Sequence, residues 1–282
     1  MDMLVTTDWL ENELGSTSLV ILDASLHLPD AGRNPADEFA AAHIPGARFL
    51  ALAGLHDPAS HMPGKVPDAS RVETRLTELG VSAASRIVLY DDSTLRSACR
   101  AWFLLRLFGL EDVAVLDGGL GKWRAENRPI ETDVPAQASG SGITLVADRK
   151  VLRDKAQMLA NVETGEEQVI DARDQARFCG TSEDHVHGLA GGHIPAARNL
   201  PFSSMLQPDG TFHDTATLRR LFEQCGADLD RTIVTSCGSG VTASVLAFAL
   251  HLTGFENVAL YDGSWAEWGG DPDTPKEVGA VR

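Results

Sequence analysis

The sequence is poor in basic residues. Of its 282 residues, 24 are Lys or Arg against 40 Asp or Glu, which gives a formal net charge of −16. An acidic surface repels the phosphate backbone of nucleic acids and the anionic headgroups of membranes. No apolar run approaches the roughly 20 residues of a membrane-spanning helix. The first ten residues contain Asp2 and Asp8 but no basic residue, unlike a signal peptide. We therefore expect neither nucleic acid nor a membrane among its partners.

Cysteine is scarce as well. The four cysteines are Cys99, Cys179, Cys225 and Cys237. None lies in a C-x-x-C pair, so the sequence favours neither a zinc site nor a disulfide framework. We expect no bound metal, and a reducing cytoplasm as the location of the protein.

The chain repeats itself. Three segments return in the same order, 145 to 150 residues further on, and one of them contains His-Ile-Pro in both copies. The pairs are 20–24 and 169–172, 43–48 and 193–198, and 113–118 and 258–263. Buried Val/Ile strands recur in many α/β proteins, but a repeated His-Ile-Pro at the same offset indicates a tandem duplication.

The repeat predicts two domains. Residues 1–130 form the first, residues 131–147 are a linker that contains Ser-Gly-Ser-Gly, and residues 148–282 form the second. In each copy short apolar strands alternate with helical segments, which predicts an α/β fold with a small parallel, doubly wound sheet flanked by helices. Ligands of such sheets bind beyond the carboxyl ends of the strands.

One loop differs between the copies. Asp91 in the first copy aligns with Cys237 in the second, and both follow a buried strand and precede a helix. The second copy reads Cys-Gly-Ser-Gly-Val-Thr from position 237, whereas the first reads Asp-Asp-Ser-Thr-Leu-Arg from position 91. We expect the copy with the thiol to carry the chemistry and the first copy to be inactive.

A cysteine at such a turn suits nucleophilic chemistry. The loop directs backbone N–H groups and the positive end of a helix towards the thiolate, which is the nucleophilic form. Gly238 and Gly240 allow the tight turn, and Ser239 and Thr242 offer hydroxyl groups. Most free cysteines are merely buried apolar residues, and this is our interpretation of Cys99 and Cys225; the position of Cys237 favours a nucleophile.

Two other loop chemistries fit less well. The segment from Gly238 to Ala243 matches G-x-G-x-x-G/A, the dinucleotide fingerprint. Only twenty residues follow Asp262, however, which is too few for the remaining strands of a dinucleotide-binding half. A cysteine phosphatase loop needs an arginine six positions after the cysteine, and here that position is Ala243.

The chain resembles the tandem-domain rhodanese sulfurtransferases over nearly its whole length. The matching motifs are the two His-Ile-Pro segments, Asp117-Gly-Gly, Asp262-Gly-Ser-Trp265 and Cys237-Gly-Ser-Gly-Val-Thr242. The last resembles the loop of 3-mercaptopyruvate sulfurtransferases. The resemblance implies two rhodanese-like domains, a Cys237 persulfide, no organic cofactor, and an acceptor such as thioredoxin, another thiol or cyanide.

The resemblance also implies which residues bind the sulfur donor. Arg177 matches an arginine that holds the substrate carboxylate, a role suited to the forked guanidinium. The loop contributes Gly238, Gly240, Val241 and Thr242. Thiosulfate-preferring relatives carry two basic residues where this chain has Gly238 and Ser239, so the loop favours 3-mercaptopyruvate, with thiosulfate as the alternative donor.

Two positions depart from the family. A second arginine is usual where this chain has Val186, and Ala53 stands where an acidic residue would complete a proton relay with Ser239 and His61. We hypothesise that Arg96, with His185 or His187 when protonated, supplies the missing positive charge. These departures leave a second function class open, a noncatalytic rhodanese-like binding module, in which Cys237 would be unreactive.

Overall fold

The computed structural model describes residues 1–55, 65–132 and 142–279, and these form two compact units. The first unit comprises residues 1–55, 66–132, 142–148 and 208–212; the second comprises residue 65, 149–207 and 213–279. Two features from the sequence lie outside the described residues, namely His61 and positions 133–141 of the linker. None of the described helices is long and apolar enough to cross a membrane.

The first unit is built on a parallel five-stranded sheet with the order β1-β5-β4-β2-β3. Its strands are β1 (Leu4–Val5), β2 (Leu19–Asp23), β3 (Arg48–Phe49), β4 (Arg86–Tyr90) and β5 (Val113–Leu116). Its helices are α1 (Thr7–Glu13), α2 (Pro35–Ala41), α3 (Ala69–Glu78), α4 (Ala98–Leu107) and α5 (Gly119–Ala125).

The second unit repeats this plan, with a parallel sheet in the order β6-β10-β9-β7-β8. Its strands are β6 (Leu152–Arg153), β7 (Gln168–Asp171), β8 (Arg198–Asn199), β9 (Ile233–Ser236) and β10 (Val258–Tyr261). Its helices are α6 (Lys155–Thr164), α7 (Gln175–Cys179), α8 (Thr215–Gln224), α9 (Ala243–Leu252) and α10 (Ser264–Trp268). The predicted parallel α/β fold, present twice, is confirmed.

Hydrophobic pattern explains these elements. All four residues of β9 and of β10 are buried, as expected of central strands covered on both faces. Helix α8 instead buries one stripe, with Leu218 and Phe222 one turn apart, and charged residues cover its outer side. Helix α9 is buried over most of its length, so its amino end lies inside the unit next to the end of β9.

The two His-Ile-Pro segments serve the fold. His43 is fully buried, stacks on Phe39 with the ring centroids 4.2 Å apart, and bonds the Phe39 carbonyl oxygen through Nδ1 at 2.8 Å. His193 repeats the arrangement on Phe178, with centroids 3.9 Å apart and a bond of 2.9 Å. Each imidazole thus fixes the turn before its proline.

Candidate active site

Cys237 lies where the sheet of the second unit meets a helix. It directly follows β9, and the loop from Cys237 to Thr242 leads into α9. The side chain is 2 % exposed, and Sγ accepts a hydrogen bond from the Gly240 N–H at 3.1 Å. Gly240 has a φ of +82°, a conformation that a side chain would strain. The loop therefore places a backbone donor on the thiol, at the positive end of a helix.

Other loop donors are available to a ligand. Within the described part of the chain, the N–H groups of Ser239, Val241 and Thr242 donate no hydrogen bond. Thr242 precedes α9, yet its hydroxyl does not cap the helix. Ser239 and Thr242 are partly exposed, whereas Val241 is buried. Unpaired amides around a nucleophile are the arrangement that binds a developing negative charge.

A neighbouring turn fixes the backbone of Cys237. The Cys237 N–H donates to Ser264 Oγ at 3.1 Å, and the Trp265 N–H donates to the Cys237 carbonyl oxygen at 2.9 Å. The Ala266 N–H bonds the carbonyl oxygen of Gly238 at 2.8 Å. Ser264 adopts a φ of +50°, and its Oγ lies 4.0 Å from Sγ. Sequence reasoning missed Ser264, whose position in the Asp-Gly-Ser-Trp motif was its only signal.

Gly238 is needed for a different reason than the one predicted. Its φ is not positive, so the turn alone would accept a side chain. A Cβ atom on Gly238 would instead lie 2.4 Å from Cε1 of His187, far inside contact distance. The imidazole of His187 therefore packs directly on the residue that follows the nucleophile.

Asp184 holds His187 and two arginines. Its side chain is fully buried, and Oδ1 bonds His187 Nδ1 at 3.0 Å. Nη1 of Arg177 lies 3.6 Å from Oδ1, and Nη1 of Arg173 lies 3.6 Å from Oδ2. Burial raises the pKa of Asp184, but the His187 bond and the nearby positive charges outweigh burial and bring the pKa below its ordinary value. Asp184 is therefore ionised at neutral pH.

Arg173 lies at the centre of a buried ionic network that sequence reasoning missed. It is 1 % exposed, its Nη2 bonds Asp171 Oδ2 at 2.6 Å and the Gly192 carbonyl oxygen at 2.7 Å, and its guanidinium stacks 4.6 Å from the Trp265 ring. Trp265 is itself bonded to the Cys237 backbone. Burial lowers the pKa of Arg173, but the charge and hydrogen bond of Asp171, together with the charge of Asp184, outweigh burial and raise the pKa above its ordinary value.

The equivalent loop of the first unit holds its own anion. Asp91 follows β4 and is buried; Oδ1 accepts the Ser93 N–H at 3.0 Å and Oδ2 accepts the Ala98 N–H at 2.7 Å. Burial raises the pKa of Asp91, and these amide bonds partly oppose the rise. In the first loop, the Asp91 carboxylate therefore accepts hydrogen bonds from loop N–H groups. In the second loop, comparable N–H groups around Cys237 remain unpaired within the described residues.

Arg96 belongs to the first unit. It has a φ of +53°, uncommon for a residue with a side chain, and its guanidinium packs on Gly210, where a Cβ would lie 2.3 Å from Nη2. Of the residues predicted for the site, the second unit contains the loop 237–242 and Arg177. Arg177 lies beside Asp184, which bonds His187, and His187 packs on Gly238 of the loop. His185, by contrast, has a side chain that is 81 % exposed.

The buried carboxylate of β7 has a counterpart in the first unit, but without the arginine two residues later. Asp23 ends β2 as Asp171 ends β7, but Ser25 stands where the second unit has Arg173. Asp23 is 2 % exposed; its Oδ1 accepts the Ser25 N–H at 2.8 Å, and the side chains of Ser25 and Tyr90 also donate to it. Burial raises the pKa of Asp23 to about 6.

Replacing Asp23 with asparagine is expected to stabilise the protein at pH 7 by about 3 kcal/mol. A folded-state pKa of about 6 against 3.8 means that the contribution of Asp23 to stability is full below pH 3.8 and lost as the pH rises through 6. Asparagine keeps the Ser25 bond and has no proton to lose. Urea unfolding from pH 4 to pH 7.5 should show the two proteins diverging between pH 4 and 6; a constant difference would contradict this account.

The comparisons agree with this fold. The Rhodanese-like domain model matches residues 6–126 and 154–271. "Thiosulfate/3-mercaptopyruvate sulfurtransferase 1, mitochondrial" of Arabidopsis thaliana is 37% identical, covering 97% of this chain and 78% of that protein. The 3-mercaptopyruvate sulfurtransferase of Escherichia coli is 36% identical, covering 97% of both. The thiosulfate sulfurtransferase of Cricetulus griseus is 35% identical, covering 94% of this chain and 91% of that protein.

Solved structures give the same assignment. The crystal structure of SseA from Escherichia coli, described as a 3-mercaptopyruvate sulfotransferase with the rhodanese fold, matches with a TM-score of 0.85 and 34% identity, covering 94% of this chain and 99% of that one. Tum1 from Saccharomyces cerevisiae matches with a TM-score of 0.86 and 26% identity, covering 95% of both chains. The chain belongs to the rhodanese family, with two rhodanese-like domains in tandem, and it is a sulfurtransferase of that family.

Proposed function

We propose that the chain moves the sulfur atom of 3-mercaptopyruvate, through a persulfide on Cys237, to a thiol or to cyanide, and releases pyruvate. The observation that carries this proposal is the environment of Cys237 Sγ, which accepts the Gly240 N–H at 3.1 Å beside unpaired loop amides. Such donors stabilise negative charge on sulfur before and after transfer without reorganising. A noncatalytic binding module is the alternative from another function class, and an unreactive Cys237 would indicate it.

The proposed reaction has two halves. The Cys237 thiolate attacks the sulfur of the donor, the carbon–sulfur bond breaks, and its electron pair leaves with the carbon as the enolate of pyruvate. The transferred sulfur stays on Cys237 as a persulfide, and the enolate takes up a proton. An acceptor thiol then loses its proton and attacks the outer sulfur, the sulfur–sulfur bond breaks, and the Cys237 thiolate is restored.

The proposed donor is a monocarboxylate rather than a dianion. Gly238 and Ser239 give the loop no positive side chain, so the donor's charge is recognised elsewhere. Arg177 is the proposed carboxylate ligand: its side chain is 25 % exposed, and Asp174 and Asp184 orient the guanidinium. Thiosulfate is the alternative donor, because both donors occur in the names of the relatives. Ser239 and His61 are proposed to move protons, as in the family.

A side-by-side assay tests the choice of donor. Initial rates are measured with 3-mercaptopyruvate and with thiosulfate as donors, with cyanide as the acceptor, and mass spectrometry follows the addition of one sulfur atom to Cys237. We expect 3-mercaptopyruvate to have the higher kcat/KM. A higher value for thiosulfate would replace the donor but keep the persulfide, whereas no sulfur on Cys237 with either donor would overturn the proposal.

Arg177→Ala is expected to raise the KM for 3-mercaptopyruvate with little change in the acceptor half-reaction. Loss of charged hydrogen bonds to a carboxylate costs about 1.5–3 kcal/mol, or roughly 10- to 150-fold in kcat/KM. Arg96→Ala in the same assay tests the proposed contribution of Arg96, and Arg219→Ala, on an exposed helix face, is the control. A donor KM within twofold of wild type would remove the tested arginine from the donor site.

We also propose a reducing compartment such as the cytoplasm. Cys99, Cys179, Cys225 and Cys237 are all free thiols, and a persulfide carrier needs its cysteine kept from disulfide formation. Thioredoxin is the proposed protein acceptor, because it presents a reactive dithiol in that compartment.

A further inference from the structure

The imidazole of His187 covers the loop next to the nucleophile. A Cβ on Gly238 would lie 2.4 Å from Cε1, 3.2 Å from Nδ1 and 3.4 Å from Nε2 of that ring. All three distances are short, so the ring approaches the Gly238 backbone closely and over several of its atoms. His187 therefore packs on Gly238, the residue that follows Cys237, within the second unit.

Asp184 fixes the orientation of this ring. Backbone bonds close the turn, from the Asp184 N–H to the Leu189 carbonyl oxygen at 2.8 Å and from the His187 N–H to the Asp184 carbonyl oxygen at 3.1 Å. Because a carboxylate only accepts hydrogen bonds, Nδ1 of His187 donates to Asp184 Oδ1. Within the residues that the structure describes, Nε2 has no hydrogen-bond partner, and the side chain is 10 % exposed. Nε2 is therefore the nitrogen that can exchange protons.

The charges around the ring come from three elements. Asp184 touches it directly; Arg177 of α7 and Arg173, which follows β7, each lie 3.6 Å from an oxygen of Asp184. Glu183 and His185 flank the turn, with side chains 77 % and 81 % exposed. The positive charges keep Asp184 ionised, which keeps Nδ1 a donor whether or not Nε2 carries a proton.

We propose that His187 is a further proton carrier of the sulfur-transfer cycle, in addition to Ser239 and His61, an inference that rests on the proposed function. In the acceptor half-reaction, Nε2 takes the proton of the acceptor thiol, the resulting thiolate attacks the outer sulfur of the Cys237 persulfide, and the sulfur–sulfur bond breaks to leave a Cys237 thiolate. In the next donor half-reaction, Nε2 returns that proton to the enolate carbon, which gives pyruvate. One proton is taken up and one released per cycle.

The choice of acceptor separates this role from a structural one. Cys237 is first loaded with sulfur from 3-mercaptopyruvate, excess donor is removed, and the persulfide is mixed with 2-mercaptoethanol or with sulfite in a single turnover. The thiol must lose a proton at neutral pH, whereas sulfite is already an anion. For His187→Ala we expect transfer to the thiol to fall about 100-fold, with transfer to sulfite within about threefold of wild type, and added imidazole to restore part of the thiol rate.

His213→Ala is the control, because His213 is a histidine of the same unit to which neither the donor site nor the proposed cycle assigns a role, and it should behave as wild type. His187→Gln provides a second variant of similar size in case alanine disturbs the loop. An equal fall in the rates of transfer to thiol and to sulfite, or no fall in either, would overturn the inference. The proposed function would still stand if Cys237 of the wild-type protein takes up sulfur. Failure of the wild-type protein to load sulfur would overturn both.

Discussion

Cys237→Ser is expected to lose sulfur transfer by on the order of 10⁴-fold or more, the size of effect seen when an enzyme loses its nucleophile. Serine fits the same space and can keep the hydrogen bonds of the Cys237 backbone to Ser264 and Trp265. Its hydroxyl, however, is a weak nucleophile towards sulfur and cannot hold a transferable sulfur atom. The measurement is the initial rate with 3-mercaptopyruvate and cyanide, together with the mass of the donor-treated protein.

The chain offers two controls for this substitution. Cys225→Ser changes a cysteine whose Sγ bonds the Phe222 carbonyl oxygen at 3.1 Å, and its rate should stay within about twofold of wild type. Cys237→Asp copies the residue of the first unit, Asp91, and should fold while remaining inactive, because its carboxylate would occupy the loop amides. If Cys237→Ser kept about 1% or more of the wild-type rate, the nucleophile would lie elsewhere.

Arg173→Met is expected to lower the free energy of unfolding by about 3–5 kcal/mol, because it leaves buried carboxylates without their cation. Asp171 bonds Arg173 at 2.6 Å, and the fully buried Asp184 lies 3.6 Å from it. Methionine fills much of the volume and can still pack on Trp265, so the loss reports on charge rather than on a cavity. Urea unfolding at pH 7 gives the free energy.

An exposed ion pair is the control for this experiment. Arg219 and Glu223 of α8 are 57 % and 54 % exposed, so Arg219→Met should change the free energy of unfolding by no more than about 0.5 kcal/mol. Adding Asp171→Asn to Arg173→Met should recover part of the loss, since one unpaired charge is then removed. If the free energies of unfolding of Arg173→Met and Arg219→Met differ by less than about 1 kcal/mol, the network does not stabilise the unit through charge.

Local sequence sufficed for the strands and the helices that follow them. Apolar periodicity in the sequence predicts a strand over 86–90, which is β4, and helices over 97–108 and 242–252, which differ from α4 and α9 only at their ends. Apolar periodicity is a local property, so a window of sequence contains it. The alignment of Asp91 with Cys237 was also readable, because the duplication supplied an internal comparison.

Contacts between distant segments were not readable. Arg173 and Trp265 are far apart in the sequence, and only the pairing of β7 with β9 and of β9 with β10 brings their ends together. Gly238 was assigned to the tight turn, whereas its lack of a Cβ serves the close approach of His187. Such a reason depends on what packs against a residue rather than on its neighbours in the chain.

The tethering of Cys237 has a consequence for how the sulfur atom travels. Hydrogen bonds hold the amide and the carbonyl of Cys237 to the turn that begins α10, and its Sγ is held by Gly240. A nucleophile anchored on both sides of its Cα has little reach, so it cannot swing out like the arm of a carrier protein. The donor and the acceptor must therefore enter the loop one after the other, and Cys237 receives the sulfur atom and passes it on at the same position.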